Sequence, residues 1–143
     1  MGHIQDRFGS VAALALALVA WILGLVLILL AEDRAGVWLA ANLIGLAMGS
    51  CQASGRALIG HFTPVARTAE FFGLWGLAIH LAAIIGPLSY GLISFWSGGN
   101  QRLALLSTLM FFVLGLVLLT SVNEARGKRA ALEADRQPAE GVA

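Results

Sequence analysis

With 143 residues, 59% of them apolar and only 12% charged, the chain falls well short of the roughly 25% charge of soluble domains and reads as a membrane protein. A formal charge of +1 and a single cysteine, Cys51, exclude an intrachain disulfide and a cysteine metal set, and leave no basic patch for nucleic acid beyond a short tail. His3, His61 and His80 lack metal-ligand spacing, so no metal or other cofactor is implied.

The expected fold class is all-α, a polytopic membrane protein with four transmembrane helices over residues 1–122 and a polar tail over 123–143. Met1 to Phe8 is short and polar. Gly9 to Ala31 then runs without a charge. A signal peptide is the competing reading, but secretory apolar regions span about 7–15 residues and no clean cleavage site precedes Glu32. The run is therefore read as a retained first span. Glu32 to Gly36 is a polar turn.

The second span, Val37 to Gly60, is the unusual one. At about 1.5 Å per residue it covers roughly 36 Å, enough for a hydrocarbon core of about 30 Å. Yet it contains Asn42, Gln52 and Arg56. At about 100° per residue, Asn42, Gly45, Gly49, Gln52, Arg56 and Gly60 share an arc of about 80°. Such a stripe should face protein or a water-filled cavity rather than lipid. Its small residues would let another helix or a solute come close.

His61 to Glu70 forms a loop in which Thr63-Pro64 fits an N-cap and first helical position, predicting a brief interfacial helix. The third span, Phe71 to Phe95, carries Gly86-Pro87 near its middle, where a kink or local unwinding is expected. Trp96 to Gln101 is a tight turn. The fourth span, Arg102 to Val122, is again uncharged after its first residue. The tail, Asn123 to Ala143, should be poorly ordered beyond its first turn or two.

Four spans place both termini on one side. That side holds Arg7, Arg67, Arg126, Lys128, Arg129 and Arg136; the other holds Arg34 and Arg102. The bias puts both termini in the cytoplasm, with Trp38, Phe95 and Trp96 at the far interface. Short loops favour a bacterial inner (plasma) membrane. The first and fourth spans are apolar all round, consistent with lipid contact. The second and third carry the glycines and polar groups, as a transport pathway or a protein interface requires.

Gly2-His3-Ile4-Gln5-Asp6-Arg7-Phe8-Gly9 resembles the cytoplasmic signature loop of the major facilitator superfamily, with Gly2, Asp6, Arg7 and Gly9 at the recurring positions. The series Gly49 to Arg56, Glu70 to Leu74, Gly86-Pro87-Leu88 and Gln101-Arg102 resembles the branch of vacuolar amino-acid effluxers of autophagy. Gly55 stands where that branch has a serine, and His80 where it often has a lysine. The resemblance implies that the four spans correspond to helices 9 to 12 of a twelve-helix transporter. It also implies an Asp6–Arg7 gating pair in the loop; two solvated charges are the simpler reading. A pathway between two six-helix halves cannot be built by four helices alone. The chain is therefore expected to be a C-terminal piece, or the product of an internal start, whose partner is the missing N-terminal helices.

Asn42, Gln52, Arg56 and His80 are the candidate contacts for substrate or pathway. Arg56 would cost about 2.5–3.5 kcal/mol at a helix centre, but four residues from the span's end it can also snorkel or form a structural ion pair. Gln52 fits an interhelical hydrogen bond or a solute contact. His80, whose ordinary pKa suits proton coupling, also fits a neutral bond to a neighbouring helix. It shares a face with Gly73, Gly76, Ala83 and Pro87. Gly45, Gly49, Gly73, Gly76, Gly86 and Pro87 read as helix-packing or gating positions. Arg67 and Glu70 could pair on a surface turn.

The function expected is part of a secondary active transporter moving a small solute, amino acids being what the resemblance suggests. The alternative is a small four-helix membrane subunit with a structural role. A small multidrug-type dimer is disfavoured, because Gly9 to Ala31 carries no carboxylate. No nucleophile–base pair or phosphate loop suggests an enzyme.

Overall fold

The computed structural model describes residues 9–136. Among them all regular structure is helical: α1 (Ser10–Leu30), α2 (Arg34–Phe62), a short 3-10 turn (Val65–Arg67), α3 (Thr68–Trp96), α4 (Gln101–Leu119) and α5 (Glu124–Arg136). The first four are long and apolar enough to cross a membrane. In hydrocarbon every backbone group must be satisfied within its own segment, and a helix does this. Gly2, Asp6 and Arg7 of the signature loop lie outside the described residues.

Short connections make successive helices antiparallel. Asp33 starts α2: its Oδ1 accepts from the Gly36 N–H at 2.8 Å. The α3–α4 turn is closed by a left-handed pair. Gly98 (φ 67°) and Gly99 (φ 88°) follow the helix end, and their N–H groups return to Phe95 O and Ser94 O at 3.2 and 2.8 Å. This double bond to the last carbonyls needs a residue without a Cβ at its first position. Asn100 Oδ1 then accepts from Arg102 N–H and Leu103 N–H to start α4.

The most extensive interface joins α1 to α2; α1 also packs on α4, and α4 on α3. Ser10, Ala13, Ala17, Gly24 and Leu25 of α1 are buried. Ala40, Ala47, Ser50, Ser54 and Leu58 are the buried residues of α2. Small side chains allow this close approach: a Cβ on Gly24 would lie 2.5 Å from Ile44 Cγ1. Trp21 of α1 stacks on Phe112 of α4 at 4.7 Å. The first span, expected to be consistent with lipid contact, thus also packs on α2 and α4 through its small residues, while Leu16, Leu23 and Leu30 stay exposed. Composition showed α1 apolar all round, but lipid is as apolar as leucine, so helices associate through small residues rather than hydrophobicity.

Three further expectations change. Thr63 does not cap the interfacial turn; its hydroxyl donates back to Ile59 O at 2.6 Å and ends α2. The turn's first N–H, at Val65, is satisfied instead by Asp135 Oδ1 of α5 at 2.8 Å. The tail, expected to lose order after a turn or two, forms the thirteen-residue α5. At Pro87, α3 remains helical without a break, so no unwinding occurs there.

What holds α5 is a carboxylate. Glu124 accepts from Ser10 N–H at 3.2 Å and Val11 N–H at 3.0 Å, donors in the first turn of α1 that have no carbonyl four residues earlier within the helix. Lys128 Nζ lies 2.7 Å from Glu124 Oε1, and His61 Nδ1 lies 3.9 Å away. The same His61 nitrogen is 3.2 Å from Ser10 Oγ. One acidic side chain thus ties the start of α1, the end of α2 and the first turns of α5. Gly127 lies against the Phe62 ring and Ala131 is buried. Burial raises the Glu124 pKa, but the bonds from Lys128, Val11 and Ser10 and the Lys128 charge outweigh it and hold the carboxyl at about 2.

Three outcomes follow from this packing. Ala17→Leu should lower the stability of the helical bundle in micelles by about 1–3 kcal/mol through overpacking, while Leu16→Ala on the exposed side should cost far less; denaturant titration of both variants checks this. Ser54 Oγ is buried with no hydrogen-bond partner among the described residues, so Ser54→Ala should leave the same unfolding midpoint unchanged or raise it. The Glu124 carboxyl titrates at about 2 when folded, against 4.5 ordinarily. Its contribution is complete above the higher value and is lost as pH falls toward the lower one. Hydrogen-exchange protection of the Ser10 and Val11 amides should fall across that window, and Glu124→Gln should abolish the dependence.

Candidate functional site

The polar stripe of α2 is set by which of its faces packs on α1. Ala47, Ser50, Ser54 and Leu58 turn inward. Gly45, Gly49, Gln52, Arg56 and Gly60, about half a turn or less from those positions, are therefore left outward, and all five are exposed together with Asn42. A Cβ on Gly45, Gly49 or Gly60 would meet nothing within 4 Å. Gly45, Gly49, Ser50 and Ala53 line a shallow cleft of about 240 Å³ with Leu46.

The polar side chains are held differently along the stripe. Asn42 Nδ2 donates to Trp38 O of its own helix at 2.8 Å, which lowers the cost of an exposed amide in an apolar span. Arg56 lies over the Trp75 ring of α3, 5.8 Å from its centre. Trp75 in turn meets Phe72 edge-on at 6.2 Å. The ring sits beside Gly55, whose built Cβ would be 3.9 Å from Trp75 Cζ2. α2 and α3 otherwise make far less contact than the pairs α1–α2 or α3–α4.

On α3 no residue is buried. The side that meets α4 leaves His80, Gly73, Ala83 and Pro87 exposed and Gly76 half-buried. His80 Nδ1 is 2.6 Å from Gly76 O. A carbonyl only accepts, so Nδ1 carries the hydrogen and Nε2 of the neutral ring is left as an outward acceptor. A Cβ on Gly73, Gly76 or Gly86 would also meet nothing within 4 Å.

The structure thus leaves two small-residue stripes open, one with Asn42, Gln52 and Arg56 and one with His80. The two helices meet at Trp75, which lies beside Gly55 and under Arg56. Among the described residues, no two of the four candidate polar side chains hydrogen-bond to each other. Among the described residues there is no group of three or more His, Cys, Asp or Glu side chains that could hold a metal. Arg67 and Glu70 do pair, at 2.6 Å, on the surface turn. Trp75 and Glu124 were missed from sequence. An aromatic one helical turn from Phe71 and Phe72 reads as bulk, and Glu124 reads as one more tail charge. The signal for Glu124 was its position directly after the fourth span, where it could reach the N-terminal amides of another helix.

Similar proteins give this geometry a context. The chain is 28% identical over 123 residues to an uncharacterized MFS-type transporter, YxiO, of Bacillus subtilis (strain 168), a match covering 86% of this chain and 28% of that protein. It is 34% identical over 89 residues to autophagy-related protein 22 of Cryptococcus neoformans, covering 62% of this chain and 16% of the relative. The corresponding protein of Kluyveromyces lactis is 33% identical over 96 residues, 67% of this chain and 18% of that one. The chain therefore spans less than a third of the length of these relatives. No solved structure matches it. Residues 4–132 match the family described as vacuole effluxer Atg22 like, and the chain belongs to that family of membrane transporters.

Proposed function

We propose that the chain acts as part of a secondary active transporter of the major facilitator type, supplying four helices that border the path of a small solute. The observation that carries this reading is the uncovered stripe of α2. Asn42, Gln52 and Arg56 lie exposed on a helix that crosses the membrane, a placement lipid penalises. A second set of helices facing α2 and α3, with a polar path between, would remove that penalty. The missing N-terminal helices are the natural partner. A self-contained structural subunit would be expected to cover the stripe with its own helices.

In this reading Gln52 and Arg56 contact the solute or the facing half. An amino acid suits them, because a guanidinium binds a carboxylate through two parallel bonds. His80, with an outward Nε2 acceptor, is the proton-linked candidate. Gly45, Gly49, Gly73, Gly76 and Gly86 let the facing helices approach, and Pro87 lends α3 a weak point for gating. The resemblance to the facilitator signature loop supports a gating role for Gly2, Asp6, Arg7 and Gly9 in this reading. Both termini and α5 lie in the cytoplasm, in a bacterial inner membrane, and no catalytic chemistry is assigned.

Single cysteines at Gly45, Gly49 and His80, in a Cys51→Ala background, test the stripe. In the chain alone all three should react with a membrane-impermeant maleimide; in the assembled transporter, substrate should slow the reaction severalfold. Uniform protection in the chain alone would sink the reading. In the assembled transporter Arg56→Gln should reduce amino-acid flux at least about tenfold. Arg56→Lys should not rescue it fully, because an ammonium lacks the planar fork that stacks and pairs.

A further inference from the structure

The lipid-facing side of the bundle holds a feature that transport does not use. Between α1 and α4, at the end where α5 begins, lies an open cleft of about 570 Å³. Its walls are apolar, from Val11, Ala12 and Ala15 of α1 to Leu116, Leu119 and Val122, and its rim holds Thr120, Ser121 and the Glu124 carboxylate, whose charge is met by Lys128. The volume falls in the range of small-molecule sites, about 300–1,000 Å³. A second cleft, of about 490 Å³, is lined by Arg126, Arg129 and Glu133 of α5. Asn123 lines both, so the apolar cleft and the basic one adjoin.

α5 reaches this position because Glu124, Lys128, Ala131 and Asp135 are used on its other face, toward α1, α2 and the 3-10 turn. At about 100° per residue, Arg126 and Arg129 then fall on the outward side. Both are exposed. Among the described residues neither guanidinium makes an ion pair or hydrogen bond; Lys128, the nearest other cation in sequence, is taken by Glu124. In this second cleft the Arg126 and Arg129 guanidiniums against the single Glu133 carboxylate leave a net positive charge, in the segment that directly follows α4.

We infer that these adjoining clefts form a site for an anionic phospholipid, one acyl chain lying between α1 and α4 and the headgroup phosphate held by Arg126 and Arg129. Apolar walls inside the membrane and unpaired arginines at its edge match the two ends of that molecule. Arginine suits the phosphate because its fork binds two oxygens at once. Asn123 Oδ1 accepts from the Arg126 N–H at 3.0 Å, which leaves the Nδ2 amide as the group of this side chain able to donate to a phosphate. Through α5 the lipid would brace the start of α1 and the end of α2 without touching the solute stripe.

The test is lipid retention by the full chain, read by native mass spectrometry from detergent. The probes are phosphatidylglycerol and phosphatidylcholine with identical acyl chains. Phosphatidylglycerol should be retained at least about fivefold more, and Arg126→Gln/Arg129→Gln should erase the preference, at roughly fivefold per arginine. Arg126→Lys/Arg129→Lys should keep much of it. Glu133→Gln should increase retention, which a merely destabilised α5 would not do. Ala15→Trp, filling the apolar cleft, should release both lipids with helicity unchanged by circular dichroism. Equal retention of the two lipids, or an unchanged preference in the double glutamine variant, would overturn the proposal. So would displacement of the lipid by millimolar inorganic phosphate, which would show an anion site with no acyl component.

Discussion

A helix in hydrocarbon gains little by hiding leucine from lipid, so it is drawn to a neighbour only where the two backbones come close enough for dense contact. The α1–α2 pair meets that condition through Ala13, Ala17 and Gly24 against Ala40, Ala47, Ser50 and Ser54. Everything else is placed by this contact. With α1 fixed to one face of α2, the face carrying Asn42, Gln52 and Arg56 turns outward. With α4 on another side of α1, α3 is carried round until Trp75 reaches Arg56. The apolar cleft between α1 and α4 is a further product of the same arrangement.

At the end of the bundle where α1 begins, the rules reverse. Water and charge return, and the positive end of a helix dipole attracts an anion. Glu124 supplies it from 114 residues away in sequence, the separation to Ser10. Its two oxygens are shared among Ser10, Val11 and Lys128, with His61 nearby. This differs from the Arg67–Glu70 pair, where both side chains are more than half exposed and the contribution to stability is small. Glu124 is only 16% exposed and caps a helix that it does not belong to. The polar end thus fastens what the apolar packing has aligned.

The candidate solute surface and the candidate lipid surface lie on different sides because α1 and α2 divide the work. α2 commits its small residues to α1 on one face and leaves glycines and polar groups on the other. α1 commits small residues to α2 and presents Val11, Ala12 and Ala15 beside α4. α5 joins the two sides, anchored by Glu124 inward and offering Arg126 and Arg129 outward. The chain's family, described as vacuole effluxer Atg22 like, is thus represented here by a bundle that leaves a polar face of α2 exposed.

Much of this was legible in the residues. The lengths and positions of the spans, the turn at Gly98-Gly99 and the shared face of Asn42, Gln52 and Arg56 all follow from hydropathy, glycine and a 100° period, which are local properties of a chain in a bilayer. The family, too, was visible in ordered short motifs. Hidden from the sequence were the burial of α1, the docking of α5 and the meeting of Arg56 with Trp75. Each depends on which helix faces which, and in lipid that choice rests on the fit of small residues across an interface rather than on polarity. Hydropathy cannot distinguish Ala17 facing α2 from Leu16 facing lipid, nor a tail carboxylate in water from Glu124 on the start of α1. The sequence alone determined that four helices cross and where their polar groups lie around each axis; the tertiary packing decided which of those faces meet, because only contact between distant segments can rank surfaces that hydrocarbon treats alike.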